Sequence, residues 1–561
     1  MTSYDLVPYG GWSYAFTHPD VLATVARLRG LATAPVETCR VLEIGCAAGY
    51  NLIPMAISLP NAEFVGIDAS IRQIDEGREI AAHLDVPNVD LLHQDLSDWD
   101  GSLGQFDYII AHGIYSWVPQ PVRDALLALC HRALAPNGVA YISYNTYPGW
   151  HMMESMRRMM LYHIRGIEEP TQRAAAAKEL IGFLVQATGA ASYRLSSYPA
   201  AYEQLLNGYY HGILNMPDRV DSLFLHDELE AVNDPCYFHE FLDQTAQHGL
   251  AYVADAEFST GLPTSLPVET AANLLALAQS NGESGESGQY LDFVVNRTFR
   301  RSLLCHKEVV LTPAIEADVL ETLHFAAHAR GQLAEGTDPE AASVEFVSGD
   351  GAKLLSDHPV TIVGMTCLKS IWPARATLNQ VLKMAYTELM ETNLHLRAEL
   401  YAALTGTDQP RQDEDRRLLA SNLLQAYCTS GELVSLHSHA GSYTTEITPR
   451  PVASPWARWE AGRRTTVTDL RLRRVALTPH CRYLLTLLDG TRTADELCGM
   501  IAGDDSEAGA IWHQPPASPS EGTPSEGTPS EGPQIELPVV ALSEQVADTL
   551  AQIANCALLI G

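Results

Sequence analysis

Apolar residues in the first third of the chain fall into short blocks separated by helical stretches. Val41–Ile44, Phe64–Ile67, Val89–Leu92, Phe106–Ala111 and Val139–Tyr144 read as five strands. Between them, Asn51–Ser58, Ser70–Leu84 and Gln120–Ala135 have helical spacing, the last ended by Pro136-Asn-Gly. Strands that are apolar throughout and alternate with helices predict a parallel sheet covered on both faces. After Trp150 the alternation stops, and residues 151–220 are helical in character, with an Ala-rich stretch. It then resumes. Asn233-Asp-Pro offers a helix start, with the helix running from Tyr237 to His248 and stopping at Gly249. Ala251–Phe258 and Phe299–His306 follow as two more strands, and GESGESG at 282–288 as a loop between them. The pattern thus predicts an α/β, Rossmann-like sheet of seven strands over residues 35–307, with a helical insertion after the fifth.

Beyond residue 310 the character changes. A small strand-plus-helix module runs from Glu345 to Lys383, and 410–440 is helical. Leu477–Ile501 reads as helix, turn, helix after the strand-like VTDLRLRRVA, which suggests a winged-helix module. The tandem PSEGT repeat at 515–533 is too polar to pack. The expected divisions are a cap segment at 1–34, a core at 35–150, the insertion at 151–220, a region completing the sheet at 221–307, a middle module at 308–410 and a winged-helix-like module at 411–561.

A formal net charge of −32 over 561 residues opposes nucleic acid as a partner and permits basic polypeptides. The ten cysteines form no C-x-x-C pair, so neither zinc nor any other metal site is indicated. No apolar run approaches the roughly 20 residues needed to cross a bilayer, and the N-terminus lacks a signal-peptide pattern. A cytoplasmic protein that is not membrane-embedded is expected.

The chemistry lies at the ends of the strands. Glu43-Ile-Gly45-Cys46-Ala47-Ala-Gly49 is a glycine-rich turn between the first strand and first helix, suited to close approach of a ligand. Asp68 ends the second strand, where an acid can hold ribose hydroxyls. Asp95 follows the third, and His112–Trp117 the fourth. These four features in register resemble the class I S-adenosylmethionine-dependent methyltransferases. The resemblance implies that Glu43, Gly45 and Gly49 serve the methionine end of that cofactor, and that Cys46, Ala47 and Asn51 also contact it. It further implies that Asp68 and Ala69 serve the ribose and adenine, that Asp95 and Leu96 flank the adenine, and that His112 lies under the methionine. Ala47 stands where the usual pattern has glycine.

The segments HGIYSWVP, SYNTYPGW, FLHDELEAVNDPCYFHEF and NRTFRRSLLCH resemble the subgroup carrying a methyltransferase regulatory domain. That subgroup includes bacterial protein-lysine methyltransferases of outer-membrane proteins. The resemblance implies a protein substrate, such as an outer-membrane protein before export, with S-adenosylhomocysteine as the product; it also suggests a homodimer. Alternatives are a methyltransferase for small molecules or peptide natural products, and a non-catalytic scaffold that binds the cofactor. Ligands of open parallel sheets sit beyond the carboxyl ends of the strands. Tyr115, Trp117, Asn145, Tyr147 and Trp150, which leave strands four and five, are therefore expected to wall the acceptor site, with His226 as a candidate base.

Overall fold

A computed structural model describes residues 11–190, 199–214, 221–280, 287–315, 317–334, 343–392, 397–504, 506, 509, 511–513 and 542–560. The PSEGT repeat lies outside these residues. So does GESGESG up to residue 286, while Ser287 and Gly288 open a helix. The chain divides into two compact units. The first is Met1–Ile371 with Arg375–Ala440, and the second is Trp372–Ala374 with Gly441–Gly561.

The first unit is built on the seven-stranded sheet. Its strands are β1 (Arg40–Ile44), β2 (Glu63–Asp68), β3 (Val89–His93), β4 (Phe106–Ala111), β5 (Leu134–Asn145), β6 (Leu250–Asp255) and β7 (Phe299–His306), in the order β3-β2-β1-β4-β5-β7-β6. The first five pair in parallel as expected. β7 departs from expectation and runs antiparallel to both β5 and β6. FRRSLLCH, with Arg300, Arg301 and Ser302 before Leu303 and Leu304, fits a strand paired in either direction, so its orientation was not written in the pattern.

Three boundaries also moved. The helix before β5 ends at Ala133, and Leu134 already pairs with Phe106. Val139 then pairs with Tyr108, so Pro136-Asn-Gly is a bulge within the strand and not the helix stop. β6 ends at Asp255, and Phe258 begins a short 3₁₀ turn. The helix expected from Tyr237 starts at Phe238, with Tyr237 as its cap, so Asn233-Asp-Pro lies ahead of the helix and does not start it. Glu240 accepts the Tyr237 N–H at 2.7 Å there, whereas Asp234 pairs with Arg123 at 2.6 Å.

Helices α1 (Pro19–Leu28), α2 (Leu52–Ser58), α3 (Ile71–His83), α4 (Gln120–Ala133) and α9 (Phe238–Gln247) belong to this sheet unit. α9 buries Phe238, Phe241 and Thr245, one stripe at helical spacing. Phe241 joins Tyr115, Tyr144, Leu126 and Leu304 in the main core. Between β5 and α9 lie α5 (Trp150–His163), α6 (Pro170–Ala190), α7 (Pro199–Tyr209) and α8 (Asp221–Glu228). This insertion has its own core, including Met156, Met160, Ile181, Leu206 and Phe224. Helices α10 (Val268–Ser280) and α11 (Ser287–Val295) connect β6 to β7.

A buried ionic cluster closes the first unit. Asp20, in the first turn of α1, meets His437 Nδ1 at 2.7 Å and Arg375 at 3.1 Å, and it accepts the Ser438 N–H at 2.6 Å. Ligand atoms of His18, Asp20 and His439 lie within 4.8 Å of one another, but the Arg375 guanidinium already holds the Asp20 carboxylate.

In the second unit, the expected helix pair is Pro479–Leu487 and Ala494–Ala502, joined by Leu542–Asn555 in one core with Leu485, Leu497 and Leu550. VTDLRLRRVA is a hairpin, not a single strand: Thr466–Thr468 pairs with Arg474–Ala476. The buried Asp469 carboxylate accepts the N–H groups of Arg471 and Arg473, both at 2.8 Å, and forms the turn. Among the described residues, no helix is long and apolar enough to cross a membrane.

Candidate active site

The loop after β1 turns three times into the left-handed region, at Gly45 (φ +71°), Ala47 (φ +50°) and Gly49 (φ +72°). A Cβ on Gly45 would lie 2.3 Å from Ile114 Cδ1, which would have to shift, and at this φ any other residue is strained, so glycine suits the close approach to the exit of β4. Ala47 takes the conformation that a glycine would take freely, at a cost of about 1 kcal/mol. Its N–H donates to Asp68 Oδ2 at 2.9 Å, which holds it there. Asp68 Oδ1 accepts the Ser70 N–H at 2.8 Å, so one carboxylate ties the glycine loop to the start of α3.

Asn51 joins three elements. Its Nδ2 donates to Glu43 Oε1 at 2.7 Å and to Thr17 Oγ1 at 3.0 Å, and its Oδ1 accepts the Tyr14 N–H at 2.9 Å. The segment before α1 is thereby drawn onto the loop. Asp95 accepts the Ser97 N–H at 2.8 Å and caps the turn after β3. His112 Nδ1 lies 2.9 Å from the Tyr141 hydroxyl and 3.1 Å from Ser143 Oγ. Burial, reinforced by Arg301, pushes His112 down to about 3, so the ring is neutral near pH 7.

These groups surround a cavity of about 410 Å³, a size usual for cofactor sites. Glu43, Gly45, Cys46, Ala47, Asn51, Asp68, Ala69, Asp95, Leu96 and His112 all line it. Gly49 alone of the expected cofactor residues does not; it shapes the turn, donating its N–H to Cys46 O at 2.9 Å.

Glu43 Oε2 is buried and, among the described residues, accepts no hydrogen bond. Burial pushes this carboxyl up to about 8, although Asn51 opposes the rise. An ammonium group is the kind of partner such an oxygen could take, and the α-ammonium of S-adenosylmethionine is one. Two further carboxylates, Asp68 and Asp95, line the same cavity, so the residues present fit that cofactor. A proton balance follows. Below about pH 8 the empty site holds Glu43 protonated, while the bound ammonium favours the carboxylate. Binding at pH 7 is expected to release close to one proton, with affinity rising with pH up to about 8. Calorimetry in buffers of different ionisation enthalpy measures this, and Glu43→Gln should abolish it. Binding of the unaltered protein without proton release would refute the role given to Glu43.

The acceptor side differs from expectation. Trp117 and His226 line the cavity; Tyr115, Asn145, Tyr147 and Trp150 do not. Tyr115 turns into the core, edge-on to Phe241 at 5.2 Å and bonded to Gln244 of α9. Asn145 is buried and donates to Asn233 at 3.0 Å. Tyr147 stacks on His151 at 3.9 Å, outside the cavity. Burial pushes its phenol up to about 12, with Glu154 and Asp234 adding to the rise, so it is no base at neutral pH. Trp150 is buried edge-on behind Trp117 at 6.4 Å. SYNTYPGW is thus a seam: Tyr147 N–H bonds to Cys236 O and Thr146 N–H to Thr298 O.

The cavity also takes Trp12, Tyr14, Gln73 and Asp227. No motif spacing marks Trp12, Tyr14 or Gln73, and Asp227 follows His226 in FLHDELEAVNDPCYFHEF without being singled out by it. They arrive from the segment before α1, from α3 and from α8, and only the packing of those elements brings them together.

Comparison with known proteins points the same way. Residues 41–138 match the family pattern described as "Methyltransferase domain". Residues 220–306 match "Predicted methyltransferase regulatory domain", and 449–511 match "PKMT, C-terminal winged helix domain". The chain is 35% identical over 242 residues to the uncharacterised protein RP028 of Rickettsia prowazekii, covering 43% of this chain and 93% of that one. It is 40% identical over 322 residues to RP789 of the same organism, covering 57% of this chain and 56% of that protein's length. The structure of PKMT2 from Rickettsia typhi is similar over 99% of this chain and all of that one, with a TM-score of 0.75 and 26% identity. The same enzyme in complex with AdoHcy gives a TM-score of 0.74.

Proposed function

The chain belongs to the class I S-adenosylmethionine-dependent methyltransferases that carry the methyltransferase regulatory domain, and from that premise we propose that it methylates lysine side chains of a protein. The observation that carries this is the likeness over nearly the whole chain to PKMT2, whose name abbreviates protein lysine methyltransferase. The matched winged-helix pattern of the same group supports it.

The bound cofactor supplies an electrophilic methyl carbon on a sulfonium. Glu43 pairs with its ammonium, and Asp68 holds its ribose. Asp95 and Leu96 border the adenine, and neutral His112 closes the methionine end without adding charge. At the acceptor end Trp117, backed by Trp150, excludes water and offers a π face to a cationic amine. The amine attacks only after losing its proton. His226, whose Nδ1 lies 3.6 Å from Glu230 Oε2, and Asp227 are the cavity groups that take that proton. We extend the proposal to an outer-membrane protein met in the cytoplasm before export, and to a homodimeric enzyme.

Methyl-labelled cofactor incubated with the full chain and with cytoplasmic or outer-membrane extracts tests this. The expected result is label in protein, recovered as methyl-lysine on hydrolysis. Label confined to a small-molecule fraction would overturn it.

A further inference from the structure

A strip of rings runs outward from the cavity on the first unit. Trp117, in the cavity wall, meets Trp150 edge-on. Three residues before Trp150, Tyr147 stacks on His151 and packs against Tyr237 at 5.3 Å. The Tyr237 hydroxyl lies 3.3 Å from His151 Nε2, and its ring meets Phe293 edge-on at 6.2 Å. Backbone bonds fix this strip beside the mouth: Tyr147 N–H to Cys236 O, and Asp234 N–H to Ser116 O, one residue from Trp117.

The outer part of the strip is open. Phe293 is 49% exposed and Met152 also 49%, with Val294 and Val295 exposed beside Phe293. Carboxylates border the rings. The Tyr147 hydroxyl donates to Glu154 at 3.4 Å, Glu240 accepts the Tyr237 N–H, and the Asp234 side chain is 63% exposed. Two guanidiniums, Arg158 and Arg123, offset these three acids, and that of Arg123 is buried beneath Asp234. Ring faces edged by surplus negative charge attract a cation whose aliphatic stem lies on apolar surface.

We infer that the strip formed by Tyr147, His151, Tyr237 and Phe293 is a second subsite, outside the methyl-transfer cavity, for a lysine or arginine side chain on the polypeptide segment flanking the accepting lysine. It rests on the protein-lysine proposal above for the identity of that polypeptide. Asp234 is bonded to the residue before Trp117, and Tyr237 follows three residues later. A chain with one side chain in the cavity and extended at about 3.3 Å per residue can therefore lay its next residues toward the strip.

The probe is a fluorescent peptide of about a dozen residues, with norleucine at the centre so that it cannot be methylated, and with flanks of either arginine or glycine. The full chain should bind the arginine peptide about tenfold more tightly by anisotropy, and added salt should shrink the difference. Tyr237→Ala and, independently, Phe293→Ser should remove the preference, with cofactor titration reporting that each variant is folded. Equal binding of the two peptides, or a preference surviving in both variants, overturns the subsite. So does conversion of a dimer to monomer by either substitution, which would give the strip to a second copy of the chain. Parallel assays with lysine at the centre separate the two proposals. Preferential binding without methyl transfer leaves the subsite and removes the lysine acceptor; methyl transfer without preference does the reverse.

Discussion

Asp68→Ala is expected to weaken S-adenosylmethionine binding by about a hundredfold or more. Two ribose hydroxyls donating to one carboxylate are charge-assisted bonds of about 1.5 kcal/mol or more each, and about 1.4 kcal/mol is a factor of ten. The substitution also removes the acceptor for the Ala47 and Ser70 N–H groups. Ala47 would then hold its left-handed conformation without support, and the glycine loop would loosen as well. Titration calorimetry measures the loss. Asp68→Asn, which keeps one acceptor oxygen, should fall between the two. Undiminished affinity in the alanine variant would sink the assignment of this cavity.

Asp20→Ala should destabilise the first unit by about 3–5 kcal/mol, the usual penalty for removing one partner of a buried ion pair. The Arg375 and Asp20 side chains are only 4% and 3% exposed, so the guanidinium left behind would be buried without its counter-charge. Burial alone would raise Asp20, but Arg375 and His437 hold it well below the usual carboxylate range. Urea denaturation followed by tryptophan fluorescence measures the change.

The same cluster sets an acid limit. Burial pushes His18 and His437 down to about 3, against about 6.5 in an unfolded chain. The unfolded state therefore binds more protons across that window. Stability is present above about pH 6.5 and is lost progressively as the pH falls toward 3. A denaturation midpoint unchanged between pH 7 and pH 5 would contradict this.

The cofactor half of the site was legible because its residues sit at fixed places on a repeating unit. A glycine turn after β1, an acid ending β2 and an acid after β3 are positions along the chain, and the sheet carries each to the same edge. The acceptor half was not, because it depends on which way a side chain turns after a strand ends. Tyr115 leaves β4 at the expected edge, yet α9 offers it Phe241 and Gln244, and it turns inward. Asn145 faces Asn233, a partner 88 residues away that nothing in its own neighbourhood announces. Trp12 and Tyr14 reach the cavity from a stretch with no motif of its own, and Asp227 sits in FLHDELEAVNDPCYFHEF, of which only the packing of α8 selects the members that face the cavity. The direction of β7 was hidden for a different reason: residue types that suit a strand suit parallel and antiparallel pairing alike.

The place of β7 has a consequence for how the protein is made. Asn145 pairs with Phe299, so about 150 residues of insertion and connecting helices are synthesised between β5 and its neighbour. At about 5–20 residues per second, a growing chain carries the bare edge of β5 for roughly eight to thirty seconds. The insertion can gather its own core in that interval, but it donates nothing to that edge. A region whose family name speaks of regulation is thus what closes the sheet, and a nascent chain cut before β7 would be left with an open strand edge ready to pair with another chain.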